Sequence, residues 1–172
     1  MASKATKPAA KKATGSARTD PATKLLMADH KEVHAMFQQY KKLADADAEA
    51  SEREALATEI CHALTVHATI EEELFYPAAR EAEVDADLLD EAEVEHASAK
   101  ALIAQIEAMS PDDALYDAKV TVLGEYIDHH VKEEEGELFP KCRKSDMDLE
   151  GLGEALAARK QELTAEMAEM AS

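Results

Sequence analysis

Apolar residues recur at helical spacing along four stretches of the chain. One face of the first carries Leu26, His30, Val33 and Phe37; one face of the second carries Ile60, Leu64, His67, Glu71 and Leu74. The third has Leu89, Ala92, His96, Ala99, Ile103 and Ile106, and the fourth Val120, Leu123, Ile127, His130 and Glu134. Steps of three and four residues are the signature of amphipathic α-helices. Asp20-Pro21 supplies an N-cap and a proline at the first helical position, so the first helix should run to about Leu43. Ser51-Glu52-Arg53-Glu54 fits a capping box opening the second, which continues to Pro77 or a turn beyond. The third begins after Asp85 or Asp87, and Ser110-Pro111-Asp112-Asp113 caps a fourth that reaches about Pro140–Arg143. Short connections make neighbouring helices antiparallel. The pattern thus predicts an all-α protein, an up-down-up-down four-helix bundle over residues 21–144. Residues 145–172 add a C-terminal helix, Asp148 to Met170, packed outside the bundle or reserved for a partner.

Polar residues interrupt these stripes where a core should be. The chain writes one motif twice, HATIEEELFYP at 67–77 and HVKEEEGELFP at 130–140, with histidine, two glutamates four and five residues on, and proline ten residues on. Positions i and i+4 of a helix share a face, so His67 with Glu71 and His130 with Glu134 each form a two-donor unit. A carboxylate buried without a partner costs several kcal/mol or neutralises. Its repeated placement on an apolar stripe asks for a cation.

Depth along the bundle brings the histidines together. His30 follows Pro21 by nine residues and His96 follows Asp87 by nine, while His67 and His130 each precede a proline by ten. With alternating helix directions all four land about 14 Å from the same end, at about 1.5 Å per residue. Glu71 and Glu134 sit one turn nearer that end. Four imidazoles and two carboxylates can therefore surround one point in the core. With no thiolate at this level, the donor set suits iron, manganese or zinc. Six donors divide naturally over two metals with the glutamates free to bridge. Two irons (Fe2+/Fe3+) with an oxo or hydroxo bridge and an open position would be the redox-active version, manganese and zinc being second choices. His34 lies a turn deeper than this plane, leaving a fifth ligand and a pocket-wall residue equally open. His62 and His129 fall off the stripes. Glu72, Glu73, Glu133 and Glu135 read as a solvated face, some of them able to hold the histidines from outside.

Composition narrows the picture further. Aromatic residues make up 4% and glycine and proline number five each, which agrees with helices throughout. Five basic residues and no acid precede Asp20, so residues 1–20 read as a disordered basic Ala/Lys-rich tail. The rest has 14 basic against 37 acidic residues, a net −23 that should repel nucleic acid and anionic membrane. Nucleic-acid contact is expected only through the tail. No apolar run approaches the ~20 residues of a membrane span. The N-terminus lacks the apolar stretch of a secretory signal, so a cytoplasmic protein is expected. Cys61 and Cys142 have no C-x-x-C spacing and read as free thiols.

The stretches LLMADHKEVHAMF, LTVHATIEEELFYP, EVEHASAKALIAQIE and HHVKEEEGELFP together resemble the hemerythrin-like HHE cation-binding domain, over about residues 22–144. The resemblance implies a hemerythrin-like bundle with a non-haem di-iron centre held by His30, His67, Glu71, His96, His130 and Glu134, the two glutamates bridging. Hemerythrins proper bind dioxygen and use five histidines, with a second one in helix three and an aspartate in helix four. This chain has Lys100 four residues after His96, and Glu134 as the acidic ligand. Bacterial relatives of this simpler kind are associated with oxygen, nitric oxide or redox sensing, iron handling and stress responses, and that range is what the resemblance implies.

The leading expectation is a di-iron protein that binds or senses dioxygen, nitric oxide or peroxide. Few polar groups line the inferred site to act as acids or bases on an organic substrate. A peroxide-consuming or ferroxidase-type stress enzyme is the enzymatic alternative, and a metal-ordered interaction module the non-catalytic one. Tyr76, Phe75 and Phe139 could shape access.

Overall fold

The structure, a computed structural model, describes residues 20–172. The basic tail expected over residues 1–20 lies outside the described residues apart from Asp20. Among the described residues every regular element is a helix: α1 (Pro21–Asp45), α2 (Ala50–Ile70), α3 (Tyr76–Glu81), α4 (Ala86–Glu107), α5 (Tyr116–Glu133), α6 (Phe139–Lys144) and α7 (Leu149–Met170). Two single π-helical turns, Glu71–Phe75 and Glu134–Leu138, splice α2 to α3 and α5 to α6. The bundle therefore has four long members, α1, α2–α3, α4 and α5–α6. Contacts run α1 to α2, α2 to α4, α4 to α5 and α5 back to α1, which closes a ring of four. No helix of the described residues is long and apolar enough to cross a membrane.

Local chemistry explains most of the boundaries. Asp20 caps α1, accepting from the Thr23 amide at 2.8 Å, and Asp85 caps α4 by accepting from the Leu88 amide at 3.2 Å. Two expected caps differ. Helix α2 opens at Ala50, so Ser51 already lies inside its first turn and Glu49 takes the N-cap place with no side-chain bond. The Ser110–Asp113 segment folds into its own turn, the Ser110 amide donating to Asp113 Oδ2 at 3.0 Å, and α5 starts only at Tyr116. The Asp113 carboxylate closes that turn locally and is not left to cap a helix.

The π turns are the larger departure from four uninterrupted helices. Each precedes a proline, Pro77 or Pro140, at the second position of the following short helix. Proline has no N–H to give the carbonyl four residues back, and its ring crowds that carbonyl. A widened turn relieves the conflict, with the Tyr76 amide donating to the Glu71 carbonyl and the Phe139 amide to that of Glu134, five residues back in both cases. The wider turn also rotates the following residues. Phe75 and Tyr76 are both buried, as are Leu138 and Phe139, while Leu74, expected on the inner stripe, is only half-buried.

The apolar core comes in two clusters. One, around Leu26, Phe75, Leu89 and Phe139, fills the end bearing the π turns; the other, around Val33, Ile60, Ile103 and Leu123, fills the opposite end. Buried His30, His67, His96, His130, Glu71 and Glu134 belong to neither. Helix α7 packs along α1 and α2 with Leu156 fully buried. Gly153 permits this approach, because a Cβ there would lie 2.6 Å from Pro21 Cβ and 3.0 Å from the Ala22 amide nitrogen.

Candidate metal centre

Each bundle helix contributes to the polar centre from the same kind of position. His30 lies mid-way along α1, His67 one turn before the end of α2, His96 mid-way along α4 and His130 one turn before the end of α5. Glu71 and Glu134 are the first residues of the two π turns. All six are at most 7% exposed. The site residues expected from sequence are thus brought together, and His34 is not among them. Its exposed ring lies 3.1 Å from Asp128 and 3.0 Å from Gln38. His129 is likewise exposed, beside Glu133 at 3.3 Å.

The six side chains divide into two halves. In one, the His30 and His67 Nε2 atoms are 3.2 Å apart, with Glu71 Oε1 2.9 Å from His67 Nε2 and Glu134 Oε2 3.2 Å from His30 Nε2. In the other, the His96 and His130 Nε2 atoms are again 3.2 Å apart, with Glu71 Oε2 3.1 Å from His96 Nε2 and Glu134 Oε1 3.3 Å from His130 Nε2. Each carboxylate thus sends one oxygen to each histidine pair. The pairs match in shape too, with ring centroids 4.8 Å apart in both and rings inclined at 60° and 62°.

A ring of acids holds the imidazoles from outside. His30 Nδ1 pairs with Glu135 at 2.9 Å, His67 Nδ1 with Asp29 at 3.0 Å, His96 Nδ1 with Glu72 at 3.1 Å, and His130 Nδ1 with Glu95. Donation from Nδ1 leaves the Nε2 lone pair facing the centre, the tautomer that a metal takes. Glu72 and Glu135 were among the acids read as a solvated face with this possible second task. Asp29 and Glu95 escaped sequence reasoning altogether, although a signal existed: each acid of the ring is a chain neighbour of a residue of the centre.

Tyr76, expected only to shape access, also enters the centre. Its hydroxyl donates to Glu134 Oε1, and it lies 3.0 Å from Glu71 Oε2, 3.2 Å from His96 Nε2 and 3.3 Å from His130 Nε2. The π turn is what aims it there, since position i+5 then stands over Glu71. Phe139 holds the corresponding place in the other half and stacks on His30, centroids 6.0 Å apart and rings 2° from parallel.

Charge is unbalanced at this centre. Glu71 Oε1 and Glu134 Oε2 are buried and have no hydrogen-bond partner among the described residues. Their nearest neighbours are the ring nitrogens of His67 and His30, too poorly aligned to bond them. Without a cation only protons can compensate. Burial works against the charged form of His67, but the Glu71 charge, the bond to Asp29 and the close approach of the Glu71 carboxylate outweigh it and raise its pKa to about 10. Burial likewise opposes charge on His130, yet Glu134 and Glu95 lift it to about 11. Burial would raise the Glu71 carboxyl, but His67 and His96 hold it well below the usual range. Burial and the neighbouring Glu71 charge raise Glu134, and the His130 charge with the close approach of the His130 and His30 rings brings it to a net lowering. Burial and the two carboxylates push the Tyr76 phenol well above its ordinary value. Two buried donor groups of this centre are compatible with bound cations, His30–His67–Glu71–Glu134 and Glu71–His96–His130, and a third, more exposed group, Glu95–His129–Glu133, lies outside it.

A helical bundle with four inward imidazoles and two shared carboxylates at its middle is a cation-binding bundle of the hemerythrin class. Residues 22–142 match the hemerythrin HHE cation binding domain, and the chain belongs to that family. The fold is also that of a solved hemerythrin HHE cation binding domain-containing protein from Mycobacterium kansasii, with a TM-score of 0.69 and 23% identity over 87% of this chain and 90% of that one. A curated relative, a DNA nickase of Nostoc sp., is 30% identical over 117 residues, 68% of this chain and 32% of that protein. The chain thus spans about a third of that relative's length.

Proposed function

We propose that the chain holds two iron ions between its histidine pairs and uses them to bind or sense a small oxidant, dioxygen, nitric oxide or peroxide. One observation carries the reading: Glu71 and Glu134 each place one oxygen beside each histidine pair, which is the arrangement a pair of bridged metals requires. The two orphaned oxygens support the fit, since a cation supplies the charge they lack. His30, His67, Glu71 and Glu134 would hold one ion; His96, His130 and the other oxygens of the same glutamates would hold the second. Tyr76 would add a fifth protein donor to the second ion only. Imidazole with carboxylate and phenol, and no thiolate, suits iron.

The two irons would supply one-electron redox chemistry and an open position. The chain's own residues decide what reaches it. All four histidines line a cavity of about 40 Å³ with Val33, Leu64, Ala99 and Ile103 among its walls. That is room for a few water-sized molecules and none for an organic metabolite. Glu71, Glu134 and Tyr76 are not part of its walls, so the approach is from the histidine side. The outer acids keep the imidazoles oriented, and the apolar walls exclude bulk water. The unit so proposed spans residues 21–144. The net −23 beyond the tail opposes a DNA backbone, so the activity named for the Nostoc relative is not part of this reading.

Purification without added metal, elemental analysis and visible spectra before and after azide test the proposal. About two irons per chain, with bands that azide perturbs, are expected; zinc alone, or no uptake after anaerobic iron loading, would sink it. Peroxide turnover that disappears in His67→Ala would move the reading from carrier or sensor to enzyme.

A further inference from the structure

Helix α7 stands outside the bundle, yet one of its residues reaches the centre. Lys160 Nζ donates to Asp29 Oδ1 at 2.5 Å, and Asp29 Oδ2 accepts from His67 Nδ1 at 3.0 Å. The neighbouring Arg159 clamps Glu73, in the π turn that begins with Glu71, at 2.7 and 3.2 Å. Two consecutive cations of α7 thus fall on Asp29 of α1, the outer partner of His67, and on Glu73 of the π turn that carries Glu71. The other unit, His130–Glu134, receives nothing of this kind from α7 among the described residues.

Asp29 differs from the three other acids of the outer ring. Its side chain is 8% exposed, against 25% for Glu95 and 34% for Glu72 and Glu135. Water can solvate those three. It barely reaches Asp29, and the ammonium of Lys160 takes its place. A buried carboxylate left with a single imidazole partner would turn away toward solvent, and His67 would then lose the bond that fixes its ring. Lys100 makes a comparable contact with Glu72, but it belongs to α4 and its side chain is 54% exposed.

We infer that α7 is a working part of the metal centre: Lys160 is a positioning residue that, through Asp29, holds His67 ready to bind metal in the His30–His67 half. The inference rests on the metal-centre reading given above. It also makes α7 a lever on the His67 side, because displacing the helix withdraws the countercharge of Asp29. Docking of α7 does not itself depend on Lys160, since Leu156 is fully buried and Gly153 lies against Pro21.

The test uses the full chain, anaerobic Fe(II) titration, and the rate of iron release to a coloured chelator. The variants are Lys160→Met, Lys160→Arg, Arg159→Met and Lys100→Met. Lys160→Met should hold one iron as the wild type does and release the other about 10–100-fold faster, the usual size of such an outer-partner effect. Lys160→Arg should restore most of the difference, while Arg159→Met and Lys100→Met should stay within a few-fold of wild type. Two irons released by Lys160→Met at the wild-type rate would overturn the inference while leaving the metal centre standing. Equal loss in Arg159→Met would also overturn it, by showing that α7 docking alone matters. A wild-type chain that takes up no iron removes the metal-centre reading and this inference together.

Discussion

Tyr76 and Phe139 occupy equivalent places in the two halves of the centre, each directly after a π turn and directly before a proline, and they differ by one hydroxyl. That hydroxyl meets both carboxylates on the His96–His130 side, whereas the two carboxylate oxygens without partners both face the His30–His67 side. A nearly two-fold arrangement of donors is thereby made unequal. The His96–His130 side offers five protein donors and the His30–His67 side four, so an ion held by His30 and His67 would be the one with room for an outside ligand.

Tyr76→Phe tests this asymmetry. In the metal-free chain it removes the donor to two buried carboxylates, and a hydrogen bond to a charged group is worth about 1.5–3 kcal/mol, so a loss of that order is expected in denaturant melts. In the iron-loaded chain the variant should keep two irons but lose any visible phenolate-to-iron band together with its resonance-Raman ring modes. An unchanged spectrum would show that the phenol is not a donor.

Metal removal should lower stability, because Glu71 and Glu134 lose their countercharge while remaining buried. A ligand present at 100 times its Kd adds about 2.7 kcal/mol, roughly 5–10 °C in Tm for a chain of this size. Calorimetry of chelator-treated and reloaded samples measures the difference, and His34→Ala should leave it unaltered, since that ring faces solvent. Identical melting of the two forms would contradict a buried cation.

Much of this architecture was legible in the sequence because it rests on periodicity. The stripes of the four long helices and the common depth of His30, His67, His96 and His130 follow from spacing, and the Asp20 cap from its residue type beside Pro21, while the start of α4 stays open between Asp85 and Asp87 until the structure places the cap at Asp85. The π turns were not read, although Pro77 and Pro140 at matched offsets from His67 and His130 contained the cause. A helix-period rule assumes 3.6 residues per turn and therefore carried the stripe to Leu74, where the widened turn puts Phe75 and Tyr76 inside. Asp29 and Glu95 were invisible for a different reason. An acid beside a histidine on a helix surface looks solvated until the partner helix, which only the packing defines, brings another imidazole to it.

The two cysteines should be silent in the native state. Cys61 is 1% exposed and Cys142 fully buried. Burial, reinforced by Glu107 in one case and Glu134 in the other, pushes both thiols up to about 12, so almost no thiolate exists at neutral pH. A thiol reagent such as Ellman's should titrate two groups per chain in denaturant and none within minutes beforehand; fast native reaction would indicate local opening around α2 or α6.

The pH dependence of the metal-free chain follows from the same charges, and its sign differs at the two ends. His67 and His130 have folded pKa values near 10 and 11 against an ordinary 6.5, so the stability they contribute is complete below about 6.5 and disappears as pH rises through 10 to 11. Glu71 and Glu134 lie below their ordinary 4.5, so their contribution is complete above 4.5 and is lost as pH falls through the lowered values. Melting temperature in chelator should therefore be highest between about pH 4.5 and 6.5 and fall on either side. Metal reverses the alkaline trend, since it displaces the protons on His67 and His130. Two protons per chain from these imidazoles, and a third where Tyr76 binds as phenolate, should be released on metal binding at neutral pH, measurable with an indicator dye in weak buffer, and apparent affinity should rise with pH accordingly. Binding with no proton release would mean that these two imidazoles are not the groups that receive the metal.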